Sequence, residues 1–284
     1  TSYKDNIGEV VNKGFEVQLR STLLNTKEWY VAVFANLAHN ENEITKISDS
    51  MKEYNRRVMD KYANYDTGYN KGDAAYADTY LQYVEGGSLT SIFAVKSLGI
   101  NPANGREVFV RPDGTITYDW NAADQVVVGN QEPKIQGTFG FNLRWKQFSL
   151  FSTFLYECGG QRYNSTLVDK VENARIADGN VDRRVLTGRW QKPGDLAPYG
   201  RFTKGIVSVT RPTSRFVQDY NMLSFNSLTL GYDFDMAWMK KAHIGMLRAE
   251  LSGNDLFHLS TVRIERGLDY PYARSFSASL KVSF

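Results

Sequence analysis

Cysteine is almost missing from this chain: Cys158 is the single one in 284 residues, so no intramolecular disulfide and no cysteine-based metal cluster can form. Histidine is nearly as scarce. His39, His243 and His258 stand too far apart in sequence for spaced ligands, and no metal site is expected. No run of about 18 apolar residues occurs and mean hydropathy is −0.42, which excludes a transmembrane helix. A membrane β-barrel is not excluded, because strands that alternate apolar and polar residues leave little trace in hydropathy. Charge of one sign is not in excess either. Lys and Arg number 34 against 31 Asp and Glu, for a net +3 with both signs mixed, and no basic stripe calls for nucleic acid.

Catalytic signatures are also missing. The chain contains no Gly-x-Ser-x-Gly elbow, no P-loop and no His-Glu-x-x-His, so no catalytic residues and no cofactor are expected. The run from Asp66 to Asp73 has the acidic and glycine content of a calcium loop but lacks the glutamate that closes one, and it reads as a Gly-rich turn. The opening residues TSYKDNIGEV carry no initiator Met, charged region or apolar core of an export signal. An exported protein needs one, so the expectation is that it has been removed or that the chain begins within a longer precursor.

What the chain does have is two-residue alternation. Over residues 14–24, Phe15, Val17, Leu19 and Leu23 oppose Glu16, Gln18, Arg20 and Thr22. After a short polar turn, residues 29–38 form a second strand with both faces partly apolar. Residues 137–146 set Phe139, Phe141, Leu143 and Trp145 against Thr138, Asn142, Arg144 and Lys146, and a tight turn returns the chain through 148–157. Leu228, Leu230, Tyr232 and Phe234 oppose Ser227, Thr229 and Asp233, and Leu247, Ala249 and Leu251 oppose Arg248 and Glu250. The last strand places Phe276, Ala278, Leu280, Val282 and Phe284 on one face and Ser277, Ser279, Lys281 and Ser283 on the other. A soluble protein seldom leaves such an apolar edge strand ending on an aromatic ring. In a barrel one face meets lipid, the other meets the lumen, and both edges are paired.

Connections alternate short and long, the long ones running over residues 40–134, 159–220 and 257–273. Aromatic residues (Trp29, Trp145, Phe148, Tyr232, Phe234, Trp238) gather at the short-turn ends, as in an interfacial girdle. A soluble sandwich accounts for the alternation but not for this rhythm. The fold class is therefore all-β: an antiparallel transmembrane β-barrel segment with long extracellular loops. The strand count comes to seven, whereas bacterial barrels close with an even number, so residues 1–284 are expected to be the C-terminal part of a larger barrel.

Several segments carry a resemblance. NIGEVVNKGFEVQL at 6–19, VVVGNQEPKIQGTF at 126–139, RWQKPGD at 189–195, SRFVQDYNMLSFNSLTLGY at 214–232, LSGNDLF at 251–257 and the Phe-terminated strand occur in one order. Together they resemble the C-terminal barrel half of the SusC/RagA-type TonB-linked outer-membrane proteins of Bacteroidetes. The resemblance implies a plugged barrel of about 22 strands, a TonB-contacting segment outside these residues, and a SusD-like surface lipoprotein over the barrel. It implies import of oligosaccharides or peptides across the outer membrane, with no enzymatic step.

Arg20, Arg144, Arg248 and Glu250 are expected to face the lumen. Trp120, Tyr163, Trp190 and Tyr199 lie in the long loops, where rings can stack on substrate or pack against the lipoprotein. Phe276, Leu280, Val282 and Phe284 form the lipid-facing terminal pattern that the barrel-assembly machinery is expected to read. Between residues 49 and 87 tyrosine is unusually frequent, and Ser50 is expected to cap a short helix with Met51, Tyr54, Val58, Tyr62 and Tyr65 along one side. Two other readings stay open on the residues alone: a passive porin-like channel, and an outer-membrane barrel enzyme whose nucleophile and base are not evident.

Overall fold

A computed structural model describes residues 8–65, 74–174, 181–202, 209–241, 243–263 and 273–284. The run from Asp66 to Asp73 lies outside them. In chain order the elements begin with β1 (Gly8–Asn25), β2 (Trp29–Ile47) and helix α1 (Asp49–Ala63). There follow β3 (Ser91–Ile100), β4 (Glu107–Val110), β5 (Ile116–Thr117), β6 (Gln125–Asn130), β7 (Ile135–Trp145) and β8 (Phe148–Tyr163). The last are β9 (Val217–Phe234), β10 (Met246–Ser260) and β11 (Ser275–Ser283). Seven strands form one sheet in the order β1-β2-β7-β8-β9-β10-β11, and every neighbouring pair is antiparallel.

Directly opposed residues share a face, so the register assigns the faces. Leu19 lies opposite Ala35, Val31 opposite Leu143, Leu143 opposite Leu150, Leu150 opposite Leu230, Leu230 opposite Leu251 and Leu251 opposite Ala278. This apolar face is uncovered: Leu19 is 60% exposed and Leu280 65%. The other face is polar, with Asn142, Arg144, Ser149, Thr229, Asp233, Arg248, Glu250, Ser279 and Lys281 in register. Phe34 is an exception on the polar face. It lies across Gly140, where an added Cβ would sit 2.6 Å from its ring, and stacks on Phe151 at 5.8 Å.

Two rows of rings cross the apolar face. At the short-turn end Trp29 stacks on Trp145 (5.6 Å), Trp145 on Phe148 (6.0 Å), Phe148 meets Tyr232 (4.6 Å) and Tyr232 meets Phe234 (4.9 Å). Roughly 20 Å away along the strands a second row joins Phe139 to Phe154 (5.0 Å), Phe154 to Phe225 (4.4 Å) and Phe225 to Phe257 (5.5 Å). Sequence reading found only the first row. The register shift between Thr153 and Phe154 turns Phe225 onto the apolar face, out of step with Leu228, Leu230 and Tyr232, while Phe257 keeps the parity of Leu247 and Leu251.

Most strands run further than their alternation suggests: β1 begins at Gly8, β8 runs on to Tyr163 and β10 to Ser260. β2 continues from the expected end at Ala38 to Ile47, and β9 begins at Val217, well before Leu228. The added stretch HNENEITK on β2 is polar except for Ile44, which is fully buried. Ile44 there exchanges backbone bonds with Gly86 and Gly87 (2.9 and 2.8 Å), tying the hairpin to the following connection.

The connection over residues 40–134 is a folded body rather than an irregular loop. It holds α1 and a second, four-stranded sheet in the order β5-β4-β3-β6. The cap of α1 is Ser48, not Ser50: Ser48 has the extended backbone of a cap and accepts the Met51 N–H at 3.3 Å, while Ser50 already lies in the first turn. Met51, Val58 and Tyr62 are buried as expected, but Tyr54 is 41% exposed. Tyr62 packs on Trp120 (5.4 Å) and Tyr80 (5.8 Å). Ala77 from this connection shares a core with Leu167, Val168, Val171, Val185, Val209 and Phe216 from the connection over 159–220. The two long connections thus fold as one loop body at one end of the sheet. No helix among the described residues is long and apolar enough to cross a membrane, which says nothing of strands.

Candidate functional site

Two places concentrate charge. On the polar face of the sheet, Arg248 donates to Asp233 (2.9 Å), Glu250 (2.8 Å) and the Ser149 hydroxyl (2.8 Å), and Lys281 reaches Glu250 at 2.7 Å. Gly231 makes room for this fan, since a Cβ there would lie 2.5 Å from the guanidinium. The network staples β8 to β11 side by side on a hydrated face, where such pairs fix geometry more than they add stability. Arg144 lies over Tyr30 at 5.9 Å, and Arg20 stands opposite Phe34 on the same face. All four charged residues expected on the lumen side share this face.

The second place is the interior of the loop body. Arg215, just ahead of β9, donates to Glu107 (2.8 Å) on β4 and to Glu172 (2.9 Å), and all three side chains are no more than 10% exposed. Thr213 adds a hydroxyl bond to Glu107 at 2.5 Å, and Arg215 also reaches the Pro198 carbonyl at 2.6 Å. Burial alone draws an arginine's pKa down; here the two carboxylates outweigh it and hold Arg215 above its ordinary value. Arg189 is buried without a carboxylate. It donates to the carbonyls of Val171, Glu172 (3.2 Å) and Gly200 (2.8 Å), with its guanidinium 3.9 Å from the Phe202 ring centre.

The four loop aromatics are all held by this body. Trp190 donates to the Pro102 carbonyl at 2.8 Å and lies flat on Gly105, where a Cβ would come within 2.5 Å of the ring. Gly105 also has φ +70°, so both space and backbone call for glycine there. Trp120 donates to the Pro212 carbonyl at 2.8 Å. The Tyr163 hydroxyl donates to the Ala77 carbonyl at 3.1 Å, with its ring edge-on to Phe216. Tyr199 exchanges backbone bonds with the strand of Arg189: Trp190 N–H to Tyr199 at 3.1 Å, and Tyr199 N–H to Gly188 at 3.3 Å. Asp195 accepts the N–H groups of Lys192 and Gln191, both at 3.0 Å, and these bonds hold its carboxyl below the usual range. The RWQKPGD motif is therefore a self-capped turn anchored by a buried arginine.

Sequence reasoning did not find Arg215, Glu107 and Glu172. Glu107 is 108 residues from Arg215, and no local pattern joins them. On its outside the loop body exposes large apolar side chains: Leu196 is 89% exposed and Leu186 76%, with Phe202 beside a notch that also takes in Arg189 and Trp190. At the other extreme of the chain, Phe276, Leu280 and Val282 line the apolar face of β11, and Phe284 follows it, fully open to the surroundings. Among the described residues no group of three or more His, Cys, Asp or Glu is placed to hold a metal ion.

No family model matches the chain. Among curated proteins, the TonB-dependent receptor P3 of Formosa agariphila is 24% identical over 308 residues, covering 100% of this chain and 30% of the receptor. The TonB-dependent receptor P39 of the same organism is 23% identical over 90% of this chain and 27% of its own length. Among solved structures, the RagAB peptide transporter superposes with a TM-score of 0.72 at 20% identity, over 98% of this chain and 30% of that one. The 'open-open' state of the RagAB peptide importer gives 0.73 at 19% identity. Along its whole length the chain is similar to TonB-dependent receptors, and its fold is that of a segment of the RagAB transporter. It spans less than a third of the length of the curated relatives it matches. The seven-stranded sheet is an antiparallel stretch of barrel. The apolar, ring-bordered face suits lipid and the Arg248 network suits a hydrated lumen.

Proposed function

We propose that this chain forms part of the wall and outer loops of an outer-membrane importer driven through TonB. The reading rests on one observation above the others: a sheet with an uncovered apolar face between two aromatic rows, carrying a folded body at one end only, in a chain aligned throughout with TonB-dependent receptors. An uncovered face of this size would drive aggregation in water and is satisfied by lipid. The relatives are receptors and transporters, and the chain contributes no chemistry of its own.

In this proposal residues 40–134 and 159–220 lie outside the cell, and a SusD-like lipoprotein seats on the exposed Leu186, Leu196 and Phe202. The RagAB transporter is by its description a peptide transporter; the cargo here is a peptide or an oligosaccharide. Trp120 and Trp190 shape the surface the cargo meets, while Tyr163 and Tyr199 brace it. Phe276, Leu280, Val282 and Phe284 present the terminal strand to the barrel-assembly machinery. TonB acts through a segment outside these residues.

The topology is tested by cysteine labelling in the full receptor, with Cys158→Ser as background because Cys158 is exposed. A membrane-impermeant maleimide added to intact cells is expected to modify Leu196→Cys in the loop body. Gln147→Cys, at the short turn after β7, is expected to react only once the outer membrane is opened. The reverse pattern would place the loop body in the periplasm and overturn the proposal.

A further inference from the structure

A cleft of about 380 Å³ opens in the loop body between the β4–β5 hairpin and the chain around residues 200 and 211. Arg106, Arg201 and Arg211 line it, together with Tyr118, Asp119 and Trp120. Arg211 is the unusual member. Its guanidinium lies 4.4 Å from the centre of the Trp120 ring and 5.3 Å from that of Tyr65, and it meets no carboxylate or other hydrogen-bond acceptor among the described residues. Burial pulls its pKa below the ordinary arginine value, yet arginine stays charged, so a partly desolvated cation faces the cleft with N–H donors that no described residue takes up. Arg106 is shelved in the same way, 4.7 Å from the centre of the Tyr118 ring, with only a loose, exposed contact of 3.8 Å to Asp119.

The charges at the walls leave a cation over. Glu107 and Glu172 also line the cleft, but both are taken by Arg215 behind it. Counting Arg106, Arg201, Arg211 and Arg215 against Glu107, Glu172 and Asp119 gives four positive groups and three negative, a net +1. Two planar forks held over aromatic rings match the two oxygens of a carboxylate. The edge strand β5 leads directly into Tyr118 and Asp119 at the rim, and an extended peptide can lie along such an edge.

We propose that this cleft binds the carboxylate of an acidic peptide, with Arg211 and Arg106 as the two forks. This rests on the import reading above and names the class of cargo. The test uses the full receptor with its lipoprotein, purified in detergent, and three probes: a short C-terminally amidated peptide alternating Glu and Ala, the same peptide with Gln for Glu, and an oligogalacturonate of similar length. The Glu peptide is expected to bind about tenfold more tightly than the Gln peptide, with a preference that weakens as salt rises. Arg211→Gln and, separately, the exposed Arg106→Gln are each expected to remove most of that preference while leaving Gln-peptide binding unchanged. Equal binding of the two peptides, a preference that survives both substitutions, or tighter binding of oligogalacturonate overturns the proposal. Uptake by cells is read separately. Binding that keeps its arginine dependence in a receptor that imports nothing would sink the import reading and leave the cleft assignment standing.

Discussion

Arg215→Met should cost the loop body about 3–5 kcal/mol, because it leaves Glu107 and Glu172 buried against each other with no cation between them. Both side chains are under a tenth exposed, so water cannot take over the role of the guanidinium. The expected readout is local. In the full receptor, hydrogen exchange across β3, β4 and the segment preceding β9 should accelerate strongly, while the barrel keeps its resistance to unfolding in detergent. Arg215→Lys should recover only part of the loss, since a single ammonium cannot fork to two carboxylates and the Pro198 carbonyl at once. Replacing Arg215, Glu107 and Glu172 together by apolar residues should recover more than the lysine does. Unchanged protection in Arg215→Met would show that this triad does not hold the long connections together.

The second large effect concerns the two faces of β7. Leu143 sits between the aromatic rows, with Val31 and Leu150 beside it across the strands, and Asn142 points to the polar face. Leu143→Arg is expected to destabilise the receptor in membranes by about 2–4 kcal/mol, while Asn142→Arg stays within about 0.5 kcal/mol. The comparison of neighbours removes effects of strand propensity common to both. Equal losses at the two positions would mean that the apolar face does not meet lipid.

The legible part of this fold is the part where one face meets an apolar phase and the other meets water. There the choice of side chain follows the pleat, and Phe15 to Leu23, Phe139 to Trp145, Leu228 to Phe234 and Phe276 to Val282 could be placed from alternation alone. Legibility fails over His39–Ile47, where polar residues predominate and Ile44 is buried where the hairpin bonds to Gly86 and Gly87, so no apolar alternation marks the continuing strand. It fails again at the β9 bulge, where one inserted residue moves Phe225 to the other face and hides the second aromatic row. The loop body was the least readable. Its order comes from contacts between residues far apart in sequence, such as Arg215 with Glu107, Trp190 on Gly105 and Trp120 with Pro212. The aromatic residues singled out in the loops were visible as candidates, but not their anchoring. Arg211 gave no sign of itself, because what distinguishes it is its seat against Trp120 and Tyr65, residues far away in sequence.

If β7 has one face in lipid and the other in water, a spin-label scan reads it directly. Single cysteines at residues 138–144 of the full receptor, in the Cys158→Ser background and in membranes, would each carry a nitroxide. Power saturation with oxygen and with a water-soluble nickel reagent should then alternate from residue to residue. Labels at Phe139, Phe141 and Leu143 should respond to oxygen, and labels at Thr138, Asn142 and Arg144 to nickel. Equal nickel response at every position would mean that both faces lie in water, and would contradict the barrel.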